Sequence, residues 1–242
     1  MKYRIEKLSD KQYHDHKAIS RSDLLTFLRS PQIFHATYIH GRGRRETDAM
    51  KFGTQFHTNL LEPEQFNQLY HVYDKIPWNT KAGFAQRDEI ESRERDGIKC
   101  LTTEEHKDIL NMATSFELAT PEGMLAACKK EMAIFWTDEE TGLELKAKLD
   151  LHDDEFIWDI KTAVNIEKNQ FAWAIYEYLL IVQVAWYLDG MSAVSGKKYD
   201  KFIFAVFEKT APYGVATYLM LDIPGSESYA DIEIGRSIYR KG

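Results

Sequence analysis

Alternation of apolar and polar positions is sharpest between Leu145 and Lys161. Leu145, Ala147, Leu149 and Leu151 alternate with Lys146, Lys148 and Asp150; Phe156, Trp158 and Ile160 alternate with Ile157, Asp159 and Lys161. A period of two puts each set on one face, so the stretch predicts two strands joined by an acidic turn at 152–155. That turn sets Leu151 opposite Phe156, Asp150 opposite Ile157 and Lys148 opposite Asp159. Asp150 and Asp159 become diagonal neighbours on one face, about 7–8 Å apart at the backbone. One divalent cation between the two carboxylates, with oxygen ligands at about 2.0–2.1 Å, closes that gap. Lys161 projects from the same face. An amphipathic hairpin with its charges in water gives the same alternation. The second strand, however, has the apolar load of a buried strand, where Asp and Lys are rare unless paired or holding a metal.

The remaining periodicities predict the elements around this hairpin. Ser20 or Ser22 is an N-cap for a helix through Leu24, Leu25, Phe27 and Leu28, and Pro31 ends or restarts it. A second helix spans 49–61 and is stopped by Glu62-Pro63. Phe52, Phe56 and Leu60 form its apolar ridge, with His57 on the adjoining stripe. Residues 74–106 read as polar and loop-like, with a charged helical stretch at 86–95. Thr102 to Glu105 open another helix with capping-box character. A strand from Glu131 to Trp136 completes a three-stranded antiparallel meander with the hairpin. The longest helix, 171–189, has Gly190 as its C′ residue. It is apolar all round and therefore buried; Gln183 is the polar residue in its middle, with Tyr187 one turn on. A buried amide needs partners. Apolar strands at 202–208 and 214–222 follow, then a final helix from near Tyr229. That helix is short for an amphipathic C-terminal helix. The order predicts one α/β domain over 1–242, with a helical N-terminal part at 1–125 and an α-β-β-β-α-β core at 126–242.

Composition narrows the class. A chain of 242 residues with 44% hydrophobic and 13% aromatic content buries a sizeable core. There is no apolar run long enough for a membrane span and no signal-peptide pattern at the start. Cys100 and Cys128 are too few for an iron–sulfur cluster or a Cys₄ zinc site, and a reducing cytoplasm is the expected setting. The net charge of −7 argues mildly against a nucleic-acid partner. Carboxylates that bind cations contribute to that surplus. The densest basic run, His40 to Arg45, is either a solvated loop or a phosphate-contacting arm using Arg42, Arg44 and Arg45.

Asp150, eight intervening residues, then Asp159-Ile160-Lys161 resembles the PD-(D/E)XK nuclease signature. The element order resembles the restriction-endonuclease-like fold: a mixed sheet flanked by helices, here with an N-terminal helical extension. Ile19-Ser20-x-Ser22-x-Leu24 through Ser30-Pro31-x-x-Phe34 resembles the N-terminal motif of RecB-like and RecE-like nucleases. Ser30 stands where some RecB-like relatives carry an iron–sulfur cysteine. Gly53-Thr54-x-x-His57-x-x-Leu60-Leu61-Glu62-Pro63-Glu64 resembles the His motif of RecE-type exonucleases. Gln183-x-x-x-Tyr187 resembles a motif of the RecB-like branch, while Ile181 replaces a His often found in RecE. Lys81-Ala82-Gly83 also looks like a family element. The motifs fall in family order from about Tyr13 to Leu221, and the chain is similar to the RecE-type (exodeoxyribonuclease VIII) family, phage or prophage encoded.

The resemblance implies a metal-dependent deoxyribonuclease acting in recombination. Asp150, Asp159, His57 and the Ile160 carbonyl would bind Mg²⁺, with Mn²⁺ as a substitute. Lys161 would orient the attacking water. Glu131 is either a solvated strand end or a member of the catalytic set. Lys81, Gln183 and Tyr187 would lie at the DNA. Linear duplex DNA would be cut from its 5′ end by a ring of three or four subunits, with a single-strand annealing protein as partner. A RecB-like nuclease of a CRISPR or repair system acting on single strands is one alternative. A catalytically silent DNA-binding module is another, disfavoured by the intact Asp150, Asp159 and Lys161 set. Removing either Asp is expected to relieve repulsion in the metal-free protein.

Overall fold

Side-chain caps and prolines set many of the helix starts. Ser9, Ser20 and Thr102 each form a capping box, with Gln12, Asp23 and Glu105 respectively; Thr47 and Thr80 cap through their hydroxyls, and Pro31 and Pro63 open helices at N1. The computed structural model describes residues 3–39 and 47–240. Its elements run β1 (Tyr3–Lys7), α1 (Asp10–Asp15), β2 (Ile19–Ser20), α2 (Arg21–Arg29), α3 (Pro31–Phe34), a π-helical turn (His35–Ile39), α4 (Asp48–Leu61) and α5 (Pro63–Leu69). There follow β3 (Tyr70–Tyr73), α6 (Lys81–Arg95), β4 (Lys99–Thr102), α7 (Thr103–Ala119), α8 (Met124–Ala127), β5 (Lys129–Thr137), β6 (Glu144–His152) and β7 (Ile157–Ala163). The chain ends with α9 (Lys168–Glu177), α10 (Leu180–Ser195), β8 (Lys201–Glu208), β9 (Val215–Leu221) and α11 (Tyr229–Arg240).

The main sheet has the order β1-β5-β6-β7-β8-β9, with β2 pairing in parallel against the start of β6. Every neighbour on the main path is antiparallel except β7 and β8, which run parallel and are joined through α9 and α10. Strand β8, reading KFIFAVFE, is buried on both faces, as expected of a strand covered by helices on each side. Phe202, Phe204 and Val206 pack with α9, α10 and Ile232 of α11; Ala205 and Phe207 pack with Phe56 of α4 and Ile109, Met112 and Phe116 of α7. The result is a mixed α/β arrangement, a mostly antiparallel sheet between helical layers, as the element order predicts. No single helix among the described residues is long and apolar enough to cross a membrane.

Three expectations change. The helix expected at 171–189 is two helices, α9 and α10, bent by 75° at Tyr178–Leu179. Leu179 adopts a left-handed backbone (φ +50°), and Arg21 donates to the carbonyls of Tyr178 and Leu179 at 2.5 and 2.9 Å, satisfying the broken end. Gly190 is inside α10 rather than beyond it. A Cβ there would lie 2.7 Å from the Trp136 ring, so the glycine permits close packing, and Gly196 (φ +72°) ends the helix instead. The N-terminal part is not purely helical: β1 and β2 join the core sheet, and β4, within the stretch expected to be loop-like, pairs in parallel with β3.

The C-terminal helix is fastened by charge. Arg236 donates to Asp189 (2.7 and 2.9 Å), to Asp222 (2.8 Å) and to Glu233, and the Tyr239 hydroxyl also donates to Asp189. These hydrogen bonds, led by the one to Asp189, hold the Arg236 pKa above its ordinary value. Asp222 is buried, so losing its partner strands a charge. Arg236→Leu should therefore cost about 3–5 kcal/mol in urea denaturation. A loss below about 1 kcal/mol would make the network a surface ornament.

Candidate active site

The turn between β6 and β7 decides where their charges go. Asp153 Oδ1 accepts the N–H groups of Glu155 and Phe156 at 2.7 Å each, and the Asp153 N–H donates to the Phe156 carbonyl at 3.1 Å. This Asx turn takes Phe156 out of the strand. The register is consequently Leu151 opposite Trp158 and His152 opposite Ile157, not Leu151 opposite Phe156. Beyond those two pairs the strands part. Across the opening, Asp150 Oδ2 accepts the Ile160 N–H at 2.7 Å. Asp159 has its own partners: its Oδ1 accepts from Gln183 Nε2 at 2.5 Å, and its Oδ2 is ion-paired with Lys161. In this register the two aspartates stand at opposed rather than diagonal positions. Lys148, expected opposite Asp159, instead meets Glu131 and Asp10.

Helix α4 delivers the imidazole. Phe56, Leu60 and Leu61 bury its apolar side in the core that also holds Ile160, which brings His57 against β7. His57 Nε2 donates to the Ile160 carbonyl at 2.9 Å, and Nδ1 lies 3.6 Å from Asp150 Oδ1. Glu131 comes from β5. It has a left-handed backbone (φ +55°) between the regular pairs Lys130↔Leu151 and Met132↔Leu149. Such a conformation in a non-glycine strand residue costs of order 1–3 kcal/mol and is found where function constrains the chain. The ligand atoms of His57, Glu131 and Asp150 all lie within 4.8 Å of one another. Two carboxylates and one imidazole fit a divalent cation with mainly oxygen ligands.

Four groups of the site are displaced from their ordinary behaviour. Burial raises Glu131 and Asp159, and the Asp150 charge adds to both. Burial also pushes Asp150 up, but His57, Lys161 and the Ile160 N–H outweigh it and hold its pKa below the usual value. Burial lowers His57, and Asp150 with Glu131 outweighs that and raises it. The expectation that removing either Asp relieves repulsion therefore divides. It suits Asp159, whose charge is disfavoured. For Asp150 two effects oppose: its removal relieves the repulsion felt by Glu131 and Asp159, and gives up a carboxylate that His57, Lys161 and the Ile160 N–H hold ionised.

The other expected site residues fall as follows. Gln183, expected at the DNA, is buried and its amide donates to Asp159, a placement that orients a carboxylate rather than presenting the amide to solvent. Tyr187, half-buried one turn on, packs edge-on to Phe202, and burial followed by the Asp159 charge raises its pKa well above normal. Lys81 is the exposed first residue of α6. Arg42, Arg44 and Arg45 lie outside the described residues. Sequence reasoning missed Lys148 as the partner of Glu131, although its place two residues before Asp150 puts it on the adjoining row of one strand face. It also missed Asp10, which carries no local signal.

A family model described as a PDDEXK-like domain of unknown function (DUF3799) matches residues 20–234. Among solved structures, a putative exonuclease from Eubacterium rectale superimposes with a TM-score of 0.65 over 98% of this chain and 84% of that chain. Their sequences are 14% identical, so the likeness is one of fold. No curated protein matches the chain.

The displaced carboxyls predict a pH effect on the metal-free protein. Raised pKa values mean that Glu131 and Asp159 stabilise fully below the unfolded values, about 4.3 and 3.9. That contribution is lost as pH rises through the folded values. Asp150 works the other way, its contribution being lost only as pH falls through its lowered value. Glu131→Gln should therefore raise the metal-free Tm at pH 8 by a few degrees, about 2–4 °C per kcal/mol for a chain of this size. It should also flatten the fall in Tm between pH 5 and 8. An unchanged slope in a thermal melt series would mean that Glu131 ionises without penalty.

Proposed function

Because the chain belongs to the PDDEXK-like DUF3799 family, we propose that it is a metal-dependent nuclease hydrolysing phosphodiester bonds of linear double-stranded DNA. The observation that supports this most is the parting of β6 and β7. It gathers Asp150, Asp159 and Lys161 at one opening, with Glu131 and His57 at ligand distance from Asp150. His57, Glu131 and Asp150 would hold the cation, with Asp159 and the Ile160 carbonyl adjoining. A bound divalent cation supplies positive charge beside the phosphate oxygens and lowers the pKa of a coordinated water.

The chain's own groups do the rest. Lys161 is partly exposed and ion-paired to Asp159, so its ammonium is aimed from a fixed base. From there it orients the attacking water and offsets the charge developing on phosphorus-bound oxygens. Gln183 keeps Asp159 in place from behind. Asp150 is held ionised and is ready as a ligand at neutral pH. The oxygen-rich donor set suits Mg²⁺, and the imidazole makes Mn²⁺ an effective substitute.

The finer reading rests on the resemblance to RecE-type enzymes: digestion of one strand from a 5′ end, in recombination, by a ring of three or four subunits working with an annealing protein. A ring reconciles DNA binding with a net charge of −7, because basic groups of several subunits share one channel. A RecB-like single-strand nuclease is the second reading. The Gln183 amide on Asp159, in a Gln-x-x-x-Tyr sequence, favours it.

Incubation with Mg²⁺ and equal amounts of linear duplex, covalently closed circle and single strand separates these readings. Loss of linear duplex with survival of the circle is expected. Equal loss of both would make the enzyme an endonuclease, and selective loss of single strands would favour the second reading. Asp150→Ala and Asp159→Ala should each abolish cleavage, and wild-type turnover by either would remove it from the site. His57→Ala should shift the Mn²⁺ midpoint of the initial rate to higher concentration; an unmoved midpoint would return His57 to a packing role.

A further inference from the structure

Glu131 meets a lysine of the neighbouring strand. Its Oε2 lies 2.6 Å from Lys148 Nζ, which lies 2.5 Å from Asp10 Oδ1. Register accounts for the first contact. Lys148 pairs with Ala133, two residues along β5 from Glu131, which sets its ammonium within one row of that carboxylate. The second contact depends on where α1 sits, and α1 is fixed. Its Tyr13 is buried, and Lys146, on the same row as Lys148, donates from a buried ammonium to the carbonyls of Tyr13 and His16 at 2.7 and 2.8 Å. Asp10 opens this helix, one residue after a capping-box serine.

These contacts answer a question raised by the backbone. A left-handed residue in mid-strand does not aim its side chain as a regular strand does, and the surroundings must over-determine it. The Glu131 carboxylate has two oxygens, and Lys148 holds one of them at ion-pair distance. We propose that Lys148, itself held by Asp10, is a positioning residue that fixes Glu131 for cation binding. The proposal rests on the metal-binding reading of His57, Glu131 and Asp150. Residues that orient a ligating carboxylate typically alter metal affinity about 10–100-fold when removed. An ammonium beside a cation site also repels the cation. Asp10 cancels that charge, which leaves the orienting effect in command. Asp10 lies before residue 20, where the family match begins.

Calorimetric titration of Mn²⁺ into the full chain tests the proposal without any turnover. Lys148→Met should raise the Mn²⁺ Kd about 10–100-fold. Lys148→Arg, which keeps the charge and the donors, should restore it to within a few-fold, and Asp10→Asn should give a smaller weakening. Wild-type or tighter binding by Lys148→Met would overturn the proposal and make Lys148 a simple counter-charge. Should that variant fail to fold by circular dichroism, Asp10→Asn decides from an exposed position, and an unchanged Kd there overturns the relay. A wild-type chain that takes up no Mn²⁺ would overturn the metal site as well. Retained affinity in the variants overturns the positioning role alone.

Discussion

One hydrogen bond stands at the centre of the molecule: the Ile160 N–H donating to Asp150 across the gap between β6 and β7. In a continuous ladder such an amide would pair with the neighbouring strand's backbone. Here a carboxylate accepts the hydrogen bond, so the amide is satisfied while the strands remain apart. The carbonyl of the same residue is left to His57 from α4, whose Nε2 donates to it at 2.9 Å.

Concentrating carboxylates in this opening is costly, and the chain offsets the cost by giving each its own basic partner. Asp150 faces His57, Asp159 is paired with Lys161, and Glu131 meets Lys148. The pairings are unequal. Asp150 gains enough to stay ionised readily, whereas Glu131 and Asp159 remain reluctant to ionise. The site therefore combines one ready carboxylate with two whose charge a cation would relieve.

What was legible in the sequence was local. The alternation across Leu145 to Lys161, the Pro63 stop and the Thr102 capping box each depend on neighbours a few residues away, and each has its counterpart in the structure. What was not legible depends on distant partners. Nothing in the sequence around Leu179 marks a break, because the left-handed turn is held by Arg21, far away in the chain. Gly190 looks like a helix stop and is a contact with Trp136. The register slipped because an Asx turn consumed Phe156. At the site, the Asp-x-Lys spacing was visible, while the Lys148–Asp10 support was not.

The way β7 is anchored carries a consequence for how the molecule comes into being. It shares two paired positions with β6 but seven with β8. The strand bearing Asp159 and Lys161 therefore takes most of its ladder from a segment made after α9 and α10. On a ribosome, an emerging chain would expose the paired-carboxylate motif long before anything could hold it in place. Parallel pairing across a helical crossover is slow to form, since the loop must close before the contacts reward it. Order in the opening would thus come late, after β8 has docked, and the unfinished polypeptide would carry the site's residues without its geometry.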